Sequence, residues 1–354
     1  MNSAACTRPI KSANFPCCAN PCMIRRPSLD QGQKGSLFRT MNDSSTSTTS
    51  EINIYSQLSS TFFLCLVVLD ALLAFLITSG NFLLLVTIYR DPFRCLRTPT
   101  AFLIANLGVA DFFVGAFVGF GRTVEMYFLY LGRQEPPYLN TFQYFIGGLV
   151  LFAAVCSFMA MSWDRFVAVT DHLNYKSRVT VKRVKFCIAG IWLNALFLAV
   201  LPAAGVRKVD FLFAYCYTHV VLPAIVLTVT YIVIFRTLSQ KLRNIEQQVS
   251  PGNSSIEKRR NLYRERKLLL AILLVLIVFY TCFTPYFVKV HLWFFCEECE
   301  KSASFLTYHF ISNDILSLSS LLDPVIYAWQ LQRFRKTFLR VLGLRRNIAV
   351  KQSS

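Results

Sequence analysis

Residues 305–329 read FLTYHFISNDILSLSSLLDPVIYAW, an apolar stretch that carries Asp323 and Pro324 near its end. Proline removes a backbone donor and kinks a helix, and a charge near the bilayer centre costs roughly 2.5–3.5 kcal/mol on insertion scales. A lipid-facing helix should therefore contain neither residue. We expect the pair to face the interior of a helix bundle, at the place where a membrane protein carries out its function.

The rest of the chain has the composition of a membrane protein. Of its 354 residues, 54% are hydrophobic and 16% are charged, which is rare in soluble domains. A helix needs about 20 apolar residues to cross about 30 Å of hydrocarbon. Such stretches occur at 61–88, 99–126, 140–168, 184–204, 211–237, 268–294 and 303–329. The predicted fold class is an all-α membrane protein, a seven-transmembrane helix bundle.

Basic residues predict the orientation of this bundle. Lys and Arg are dense in the segments that follow the first, third, fifth and seventh stretches, and sparse in the other loops, where Lys289 is counted. By the positive-inside rule the N-terminus is extracellular and the C-terminus cytosolic, as in a multi-pass protein of the plasma membrane. The net charge of +18 then reflects topology and attraction to anionic membrane lipid. No nucleic-acid binding is inferred from it.

The sequence divides into three regions. Residues 1–57 are polar and rich in Ser, Thr, Asn and Pro, so we predict a disordered extracellular tail with an N-glycosylation sequon at Asn42. Residues 58–343 hold the seven spans and a short amphipathic eighth helix, in which apolar residues recur at helical spacing between basic ones. Residues 344–354 form a short cytosolic tail.

Two cysteines differ from the rest in their surroundings. Cys296 and Cys299 follow the sixth span on the predicted extracellular side, where thiols are oxidised. A disulfide between them, two free thiols, and a metal site that lacks further ligands all stay open. No nucleophile–base pair and no cluster of metal ligands is evident in the sequence, so we predict neither an enzyme nor a metal cofactor.

Every span carries a polar or kink-forming residue. These are Asn81, Asp111, Asp164-Arg165-Phe166, Trp192, Pro223 with Tyr231, Phe283 with Pro285, and Asp323-Pro324 with Tyr327. Their order and spacing resemble the rhodopsin-like (class A) family of G-protein-coupled receptors over about residues 60–343. The pattern is most similar to the melanocortin, adenosine, lysolipid and cannabinoid branch, because Asn140 stands where most members have a bridging cysteine and Asp323 stands in place of Asn.

The resemblance implies a polar core in the middle of the bundle. Its residues would be Asn81, Asp111, Ser319, Ser320 and Asp323. In the family this site can bind a sodium ion, although Ala154 here replaces a serine that often helps to hold it. From the residues alone, Asp111 is a buried carboxyl group that bonds to Asn81 and nearby hydroxyls for packing, and this alternative stays open.

The resemblance also implies an activation switch. In the family's inactive state the arginine at Arg165 pairs with the acid at Glu265; the alternative for Arg165 is a simple anchor at the membrane interface. Adjacent helix residues do not face each other, so Asp164 is not expected to face Arg165. The implied switch residues are Asp164, Arg165, Glu265, Phe283, Pro285, Tyr231, Asp323, Pro324 and Tyr327. Arg165 and Leu173 would contact the G protein.

The ligand is constrained by residues that the chain lacks. Amine receptors have an Asp where this chain has Gly147, and opsins have a Lys where it has Ser317. Neither an amine nor retinal is therefore expected, and peptides, lipids and purines stay open. A pocket should lie between the third, fifth, sixth and seventh spans, although its aromatic residues could equally be core. Its candidate residues are Arg122, Glu125, Gly147, Gly148, Leu151, Tyr215, His219, Phe283, Tyr286, Phe287, Asn313 and Ser317.

The predicted function is a receptor that converts binding of an extracellular ligand into activation of a heterotrimeric G protein. Two alternatives stay open. A receptor-like scaffold that has lost signalling is compatible with Phe166 and Phe283, which replace the family's usual Tyr and Trp. A proton-linked transporter could use Asp111, Asp314 and Asp323 as a relay, although the sequence shows no internal repeat of the kind that transporters use.

Overall fold

A computed structural model describes residues 55, 58–92, 96–133, 135–171, 173–201, 208–247, 253–300, 302–330 and 332–342. The regular secondary structure of these residues is all helical. The N-terminal tail with its sequon at Asn42, and the C-terminal tail, lie outside the described residues. The predictions made for the two tails therefore stay predictions.

Seven long helices and a short eighth one follow each other through the described residues. They are α1 (Ser60–Arg90), α2 (Pro99–Phe113, Val114–Gly119 and Phe120–Tyr130), α3 (Pro137–Thr170), α4 (Val181–Ala199), α5 (Lys208–Tyr215, Cys216–Val221 and Leu222–Gln247), α6 (Asn253–Phe295), α7 (Ala303–Gln330) and α8 (Gln332–Val341). The middle segments of α2 and α5 are π-helical turns. Single helical turns at Tyr175–Arg178 and Glu297–Glu300 lie in the connections.

The bundle has the surface expected of a protein that crosses a membrane. Helices α1, α2, α3, α5 and α6 are each long and apolar enough to span it. The other two long helices are more polar, since α4 begins with three basic residues and α7 holds two acids. Large apolar side chains such as Phe75, Leu193 and Phe197 are exposed on the outside of the bundle. The predicted all-α, seven-helix fold is confirmed.

Each helix covers its predicted span except the fourth, and α5 and α6 extend beyond theirs, to Gln247 and from Asn253. The fourth span was expected to reach residue 204, but α4 ends at Ala199. Pro202 explains the earlier end, because proline disfavours helical geometry in the residue before it. After the last span, α8 occupies the position of the predicted eighth helix, and its Phe334 is buried with the ring stacked on that of Phe338. Its contact with the membrane surface stays a prediction.

Three helices begin at a hydroxyl side chain that caps their free backbone donors. The capping oxygens of Ser59, Thr98 and Thr180 accept hydrogen bonds from the backbone N–H groups three residues later. In α2 the cap is followed by Pro99, whose fixed φ suits the first helical position. The local sequence therefore defines the starts of α1, α2 and α4.

Helices α1 and α2 approach closely at the π-helical turn of α2. A Cβ atom on Gly115 would lie 2.5 Å from Thr78 Oγ1, and one on Gly119 would lie 2.8 Å from the Ala74 Cβ atom. Residues with a side chain therefore do not fit at these positions. The extra residue of a π turn also changes the face on which the following residues lie, and Arg122 follows within one turn.

The structure joins Cys296 and Cys299 in a disulfide with Cα atoms 5.3 Å apart, which is one of the three alternatives left open by the sequence. This bond lies in the connection between α6 and α7. We call the end of the bundle that carries this bond the disulfide end. Arg165, near the end of α3, lies at the opposite end of the bundle.

Candidate functional site

The predicted polar core forms where α1, α2 and α7 meet. The Ser320 hydroxyl donates a hydrogen bond of 2.7 Å to Asp111 Oδ1, and Asn81 Nδ2 donates one of 2.9 Å to the Ser320 carbonyl. The carboxyl groups of Asp111 and Asp323 interact directly. Ser319 is also buried, but its hydroxyl donates to the carbonyl of Leu316 in its own helix. The structure thus brings the predicted core residues together.

The oxygen atoms of this core suit a hard cation. Asp111 Oδ2, Asp323 Oδ1 and Asn81 Oδ1 are buried, and apart from the contact between the two carboxyl groups they have no hydrogen-bond partner within the described part of the chain. Buried polar atoms usually have a partner, and carboxylate and carbonyl oxygens are the ligands that hard cations prefer. The residues present therefore fit a sodium ion, to which Ala154 would contribute no ligand.

A second polar network, beside the core, joins α2, α3 and α4. Trp192 Nε1 donates to Asn106 Oδ1 at 2.8 Å, and Asn106 Nδ2 donates to Ser157 Oγ at 2.7 Å. The Ser157 hydroxyl in turn donates to the Ala153 carbonyl at 2.6 Å. The sequence singled out Trp192 but not its partners, because neither the partner of an amide nor its direction can be read from spacing along one helix.

Arg165 lies in a buried polar cluster at the end of the bundle opposite the disulfide. Its Nη2 atom donates to Asp164 Oδ2 and to Thr100 Oγ1, each at 2.7 Å. The Tyr175 hydroxyl donates to the other Asp164 oxygen at 2.7 Å. Burial raises the pKa of Tyr175 to about 12, so its hydroxyl keeps its proton and stays a donor at neutral pH. We call Thr100, Asp164, Arg165 and Tyr175 the Arg165 cluster.

The expectation that Asp164 and Arg165 do not face each other is wrong. The rule of helix spacing applies to side chains that leave the backbone in different directions. The long Arg165 side chain instead curls back so that both Nε and Nη2 bond Asp164 Oδ2, at 3.1 Å and 2.7 Å. The side chain of Glu265, the expected partner of Arg165, lies outside the described atoms, so the pairing of Arg165 with Glu265 stays a prediction.

Aromatic rings connect α3 and α6 above the Arg165 cluster. Phe158 of α3 packs on Phe279 with ring centroids 5.0 Å apart, and Phe279 stacks on Phe283 at 5.9 Å. Pro285 lies inside α6, and its carbonyl accepts a hydrogen bond of 2.8 Å from the Tyr308 hydroxyl of α7. Phe283 is therefore part of the ring packing between α3 and α6, and any movement of α6 would have to rearrange this packing.

The two predicted tyrosines of the switch are also buried. Tyr231 on α5 and Tyr327 on α7 belong to the main core. The Tyr327 hydroxyl has no hydrogen-bond partner among the described residues. Leu173, the predicted contact for a G protein, is 94% exposed in the connection after α3, as an apolar residue that awaits a partner would be.

Towards the disulfide end, Arg122 forms an ion triad with acids on two other helices. Its Nη2 atom lies 2.7 Å from Asp314 Oδ1 and 3.6 Å from Asp70 Oδ2, and all three residues are buried. The triad therefore joins α1, α2 and α7. Taking charges out of water is expensive, and removing one partner of a buried pair typically costs about 3–5 kcal/mol.

Lys289 lies near the triad but has neutral partners. Its Nζ atom donates to Asn313 Oδ1 at 2.8 Å and lies 3.9 Å from the centroid of the Tyr286 ring. The expectation that Lys289 belongs to a loop is wrong, because it lies inside α6 and is 3% exposed. Glu125 is close enough for its charge to act on both Lys289 and Arg122.

The candidate pocket residues divide into two groups. Arg122, Glu125, Tyr286 and Asn313 belong to the surroundings of the ion triad and Lys289. Other residues pack in the core instead: Tyr215 sets its ring edge-on against Phe152 at 4.7 Å, Phe283 stacks on Phe279, and Gly148 lies against Ala199. Leu151 also packs against the core, Ser317 donates to the Asn313 carbonyl, and Phe287 packs on His291. The His219 side chain lies outside the described atoms.

Thr100 and Tyr175 of the Arg165 cluster were not predicted, and sequence reasoning also missed two charged site residues, Asp70 and Lys289. Both are charged residues inside predicted spans, at 61–88 and 268–294. An ionisable residue within a membrane segment is by itself a sign of function, so this signal was available. The count of basic residues used to predict the topology obscured this signal, because it assigned Lys289 to the nearest loop.

A seven-helix membrane bundle with these polar residues in its interior defines a class of receptors, and comparison with known proteins identifies the family. The profile of the 7 transmembrane receptor (rhodopsin family) matches residues 80–212 and 204–327. The chain belongs to this family and is a G-protein-coupled receptor of the rhodopsin-like class. Its members are generally membrane receptors rather than enzymes.

Individual relatives are distant. Melanocortin receptor 5 of Ovis aries is 27% identical over 274 residues, which are 74% of this chain and 79% of that protein. Melanocortin receptor 5 of Bos taurus has the same identity and coverage. Trace amine-associated receptor 9 of Mus musculus is 27% identical over 299 residues, 76% of this chain and 82% of the relative.

Proposed function

We propose that this receptor lies in the plasma membrane, binds an extracellular ligand near the disulfide end and activates a heterotrimeric G protein at the opposite end. The Arg165 cluster is the observation that carries this proposal. The acid described beside this buried arginine is its own neighbour on α3, so Arg165 can exchange Asp164 for another partner while α3 stays intact. The N-terminus would be extracellular and the C-terminus cytosolic, as the distribution of basic residues indicates.

In this mechanism the ligand shifts an existing equilibrium between two arrangements of α6. It can do so only by the difference in its affinity for the two states. Pro285 gives α6 a kink about which the end nearer Glu265 can move. In the active state Arg165 and the exposed Leu173 would contact the G protein.

The names of the relatives suggest two kinds of ligand, and the residues of this chain favour one of them. Trace amine-associated receptor 9 is named for amines, but Gly147 stands where the family's amine receptors have an Asp, and Lys289 would repel an ammonium group. Melanocortin receptor 5 is named for a melanocortin. We therefore propose a ligand that is not a simple amine, so that the candidates are peptides, lipids and purines.

Nucleotide exchange on added G protein, measured in membranes that hold the receptor, tests this function. Arg165→Ala is expected to abolish exchange at equal surface expression, and Glu265→Ala to raise basal exchange by releasing Arg165. The matched control is Arg90→Ala, an exposed arginine at the same end of the bundle, which should change neither. Normal exchange by Arg165→Ala would contradict the proposal and favour the scaffold.

We propose further that the polar core can take a sodium ion, held by Asp111 and Asp323 with Ser320 beside them. The unpartnered carboxyl oxygens support this assignment. Sodium should then raise the melting temperature of the purified receptor more than choline does at equal ionic strength. The difference should disappear in Asp111→Asn, and an unchanged difference would rule out this site.

The transporter alternative receives less support. Asp314 is bonded to Arg122, and nine residues separate it from Asp323 on α7, which is about 14 Å along a helix. The three acids of the suggested relay therefore lie in two separate networks. Proton flux in proteoliposomes, without nucleotide exchange, would restore that alternative.

A further inference from the structure

The two buried cations near the disulfide end are neutralised to very different degrees. Arg122 has one carboxylate at 2.7 Å and a second at 3.6 Å, and Glu125 adds a third negative charge nearby. Lys289 is buried just as deeply, yet no carboxylate of the described residues lies within 4.0 Å of its Nζ atom. A buried charge is normally paired, so Lys289 is the exception that needs an explanation.

The hydrogen-bonding capacity of Lys289 is only partly used. An ammonium group has three N–H donors, and here one is directed to Asn313 Oδ1 and the Tyr286 ring lies against the group. Asn313 and Tyr286 are neutral, and the charge of Arg122 opposes that of Lys289. Glu125 attracts Lys289 only from beyond 4.0 Å. The position is therefore electrostatically suited to one more negatively charged oxygen.

The neighbouring part of α3 leaves room for such a group. A Cβ atom built on Gly147 would meet no other atom within 4 Å. Gly147 lies on the same face of α3 as Leu151, Ala154 and Phe158, which pack towards the core. One turn before it, Tyr144 is close enough to interact with both Glu125 and Tyr286. Open space and Lys289 therefore border the same group of aromatic residues.

We propose that Lys289, oriented by Asn313 and Tyr286, anchors an anionic oxygen group of the ligand, either a carboxylate or a phosphate. This inference rests on the proposed receptor function and adds the chemical class of its ligand. The charge-assisted hydrogen bond would complete the coordination of Lys289. Arg122 is not available for this role, because Asp314 and Asp70 already neutralise it. Glu125 would weaken the binding of an acid by repulsion.

Thermal stabilisation of the purified full-length chain by matched probes tests the proposal directly. In one pair, 3-phenylpropionate is compared with 3-phenylpropanamide; in the other, lysophosphatidic acid is compared with the uncharged monoacylglycerol. The acid of at least one pair should bind about 10- to 100-fold more tightly than its neutral partner, as expected for a hydrogen bond to a charged group. The pair that responds distinguishes a carboxylate from a lipid phosphate.

Two variants separate this role from a structural one. Lys289→Gln keeps a donor to Asn313 but should lose the preference for the acid, whereas the exposed Lys176→Gln at the other end should keep it. Glu125→Gln should strengthen acid binding, an effect that a purely structural lysine would not produce. If Lys289→Gln does not fold, Glu125→Gln and Lys289→Arg, which should retain acid binding, still decide the matter.

Equal binding of acid and neutral probes by the native protein, or an acid preference that persists in Lys289→Gln, would overturn the proposal. Because these measurements need no G protein, their failure is distinct from failure of the receptor function. A receptor that activates G protein but ignores both acids would refute the anchor alone. A chain that binds the acids but never promotes exchange would refute the signalling role and keep the anchor.

Discussion

Among the described residues two buried arginines are bonded to carboxylates, and the difference between them lies in which helices they join. Arg122 of α2 bonds Asp314 of α7 and lies beside Asp70 of α1. Arg165 of α3 bonds Asp164, its neighbour in the same helix, and Thr100 of α2. The ion triad therefore joins three helices through charges, whereas the ion pair described for Arg165 joins two neighbours of one helix.

This difference separates a structural tie from a switch. If Arg122 loses its acids, charges on three helices are left buried without a partner. If Arg165 leaves Asp164, α3 stays intact, and among the described contacts the hydrogen bonds to Thr100 and Tyr175 change. Buried pairs are strongly destabilising when broken by removal of one partner. We therefore expect mutations of the triad to affect stability first, and mutations of the Arg165 cluster to affect signalling first.

The largest effect is expected from Arg122→Ala. The substitution leaves Asp70 and Asp314 without their cation, and the receptor should lose about 3–5 kcal/mol of unfolding free energy. Unfolding of the purified protein in detergent measures this loss. Arg133→Ala, which removes an exposed arginine near the end of α2, is the control and should have little effect. Equal stability of the two variants would show that the triad is not a structural tie.

A smaller loss of stability but a clear signalling effect is expected from Asp164→Asn. Hydrogen bonds to charged groups contribute about 1.5–3 kcal/mol, and Arg165 keeps its bond to Thr100. Basal nucleotide exchange should rise, because Arg165 is freed for its active-state partners. A destabilisation as large as that of Arg122→Ala, with no change in exchange, would remove the distinction between the two clusters.

Tyr175→Phe should cost about 1.5 kcal/mol, the low end of the range for a hydrogen bond to a charged group, because its one bond to Asp164 is lost, and it should raise basal exchange slightly. Burial raises the pKa of Tyr175 from 10.0 to about 12. Its contribution is therefore fully present below about pH 10 and is lost only as the pH rises through about 12. The stability difference between the native protein and Tyr175→Phe should thus stay constant between about pH 6 and 9. A difference that varies in this range would mean that another group titrates with the cluster.

The smallest effect is expected from the pair between Arg178 and Asp171, whose atoms are 3.1 Å apart but whose side chains are 61% and 28% exposed. Exposed ion pairs contribute about 0–1 kcal/mol and are weakened by salt. Arg178→Ala should lower the stability by less than about 1 kcal/mol, and less still in high salt. A larger loss would show that distance rather than burial decides the strength of these pairs.

The sequence was sufficient to predict the helices and the membership of the polar core. Asn81, Asp111, Ser320 and Asp323 lie in three apolar spans, the last two in the same span. Hydrocarbon excludes such groups unless they face the interior, and the resemblance to the receptor family grouped them into one core. The same reasoning placed Pro324 and Tyr327 in the interior. It did not place the end of the fourth helix correctly, because the weak signal of Pro202 was overlooked.

The chain by itself therefore determined the class of protein, through the lengths of its apolar stretches and the positions of a few polar residues within them. The tertiary structure alone decided which cation meets which acid: Arg165 curls onto Asp164, Arg122 reaches Asp314, and Lys289 is left with Asn313. These choices depend on the rotation of each helix and on side-chain conformations, including the π-helical turn that precedes Arg122. Packing against other helices determines these rotations and conformations, and the spacing of residues along one helix carries no information about that packing.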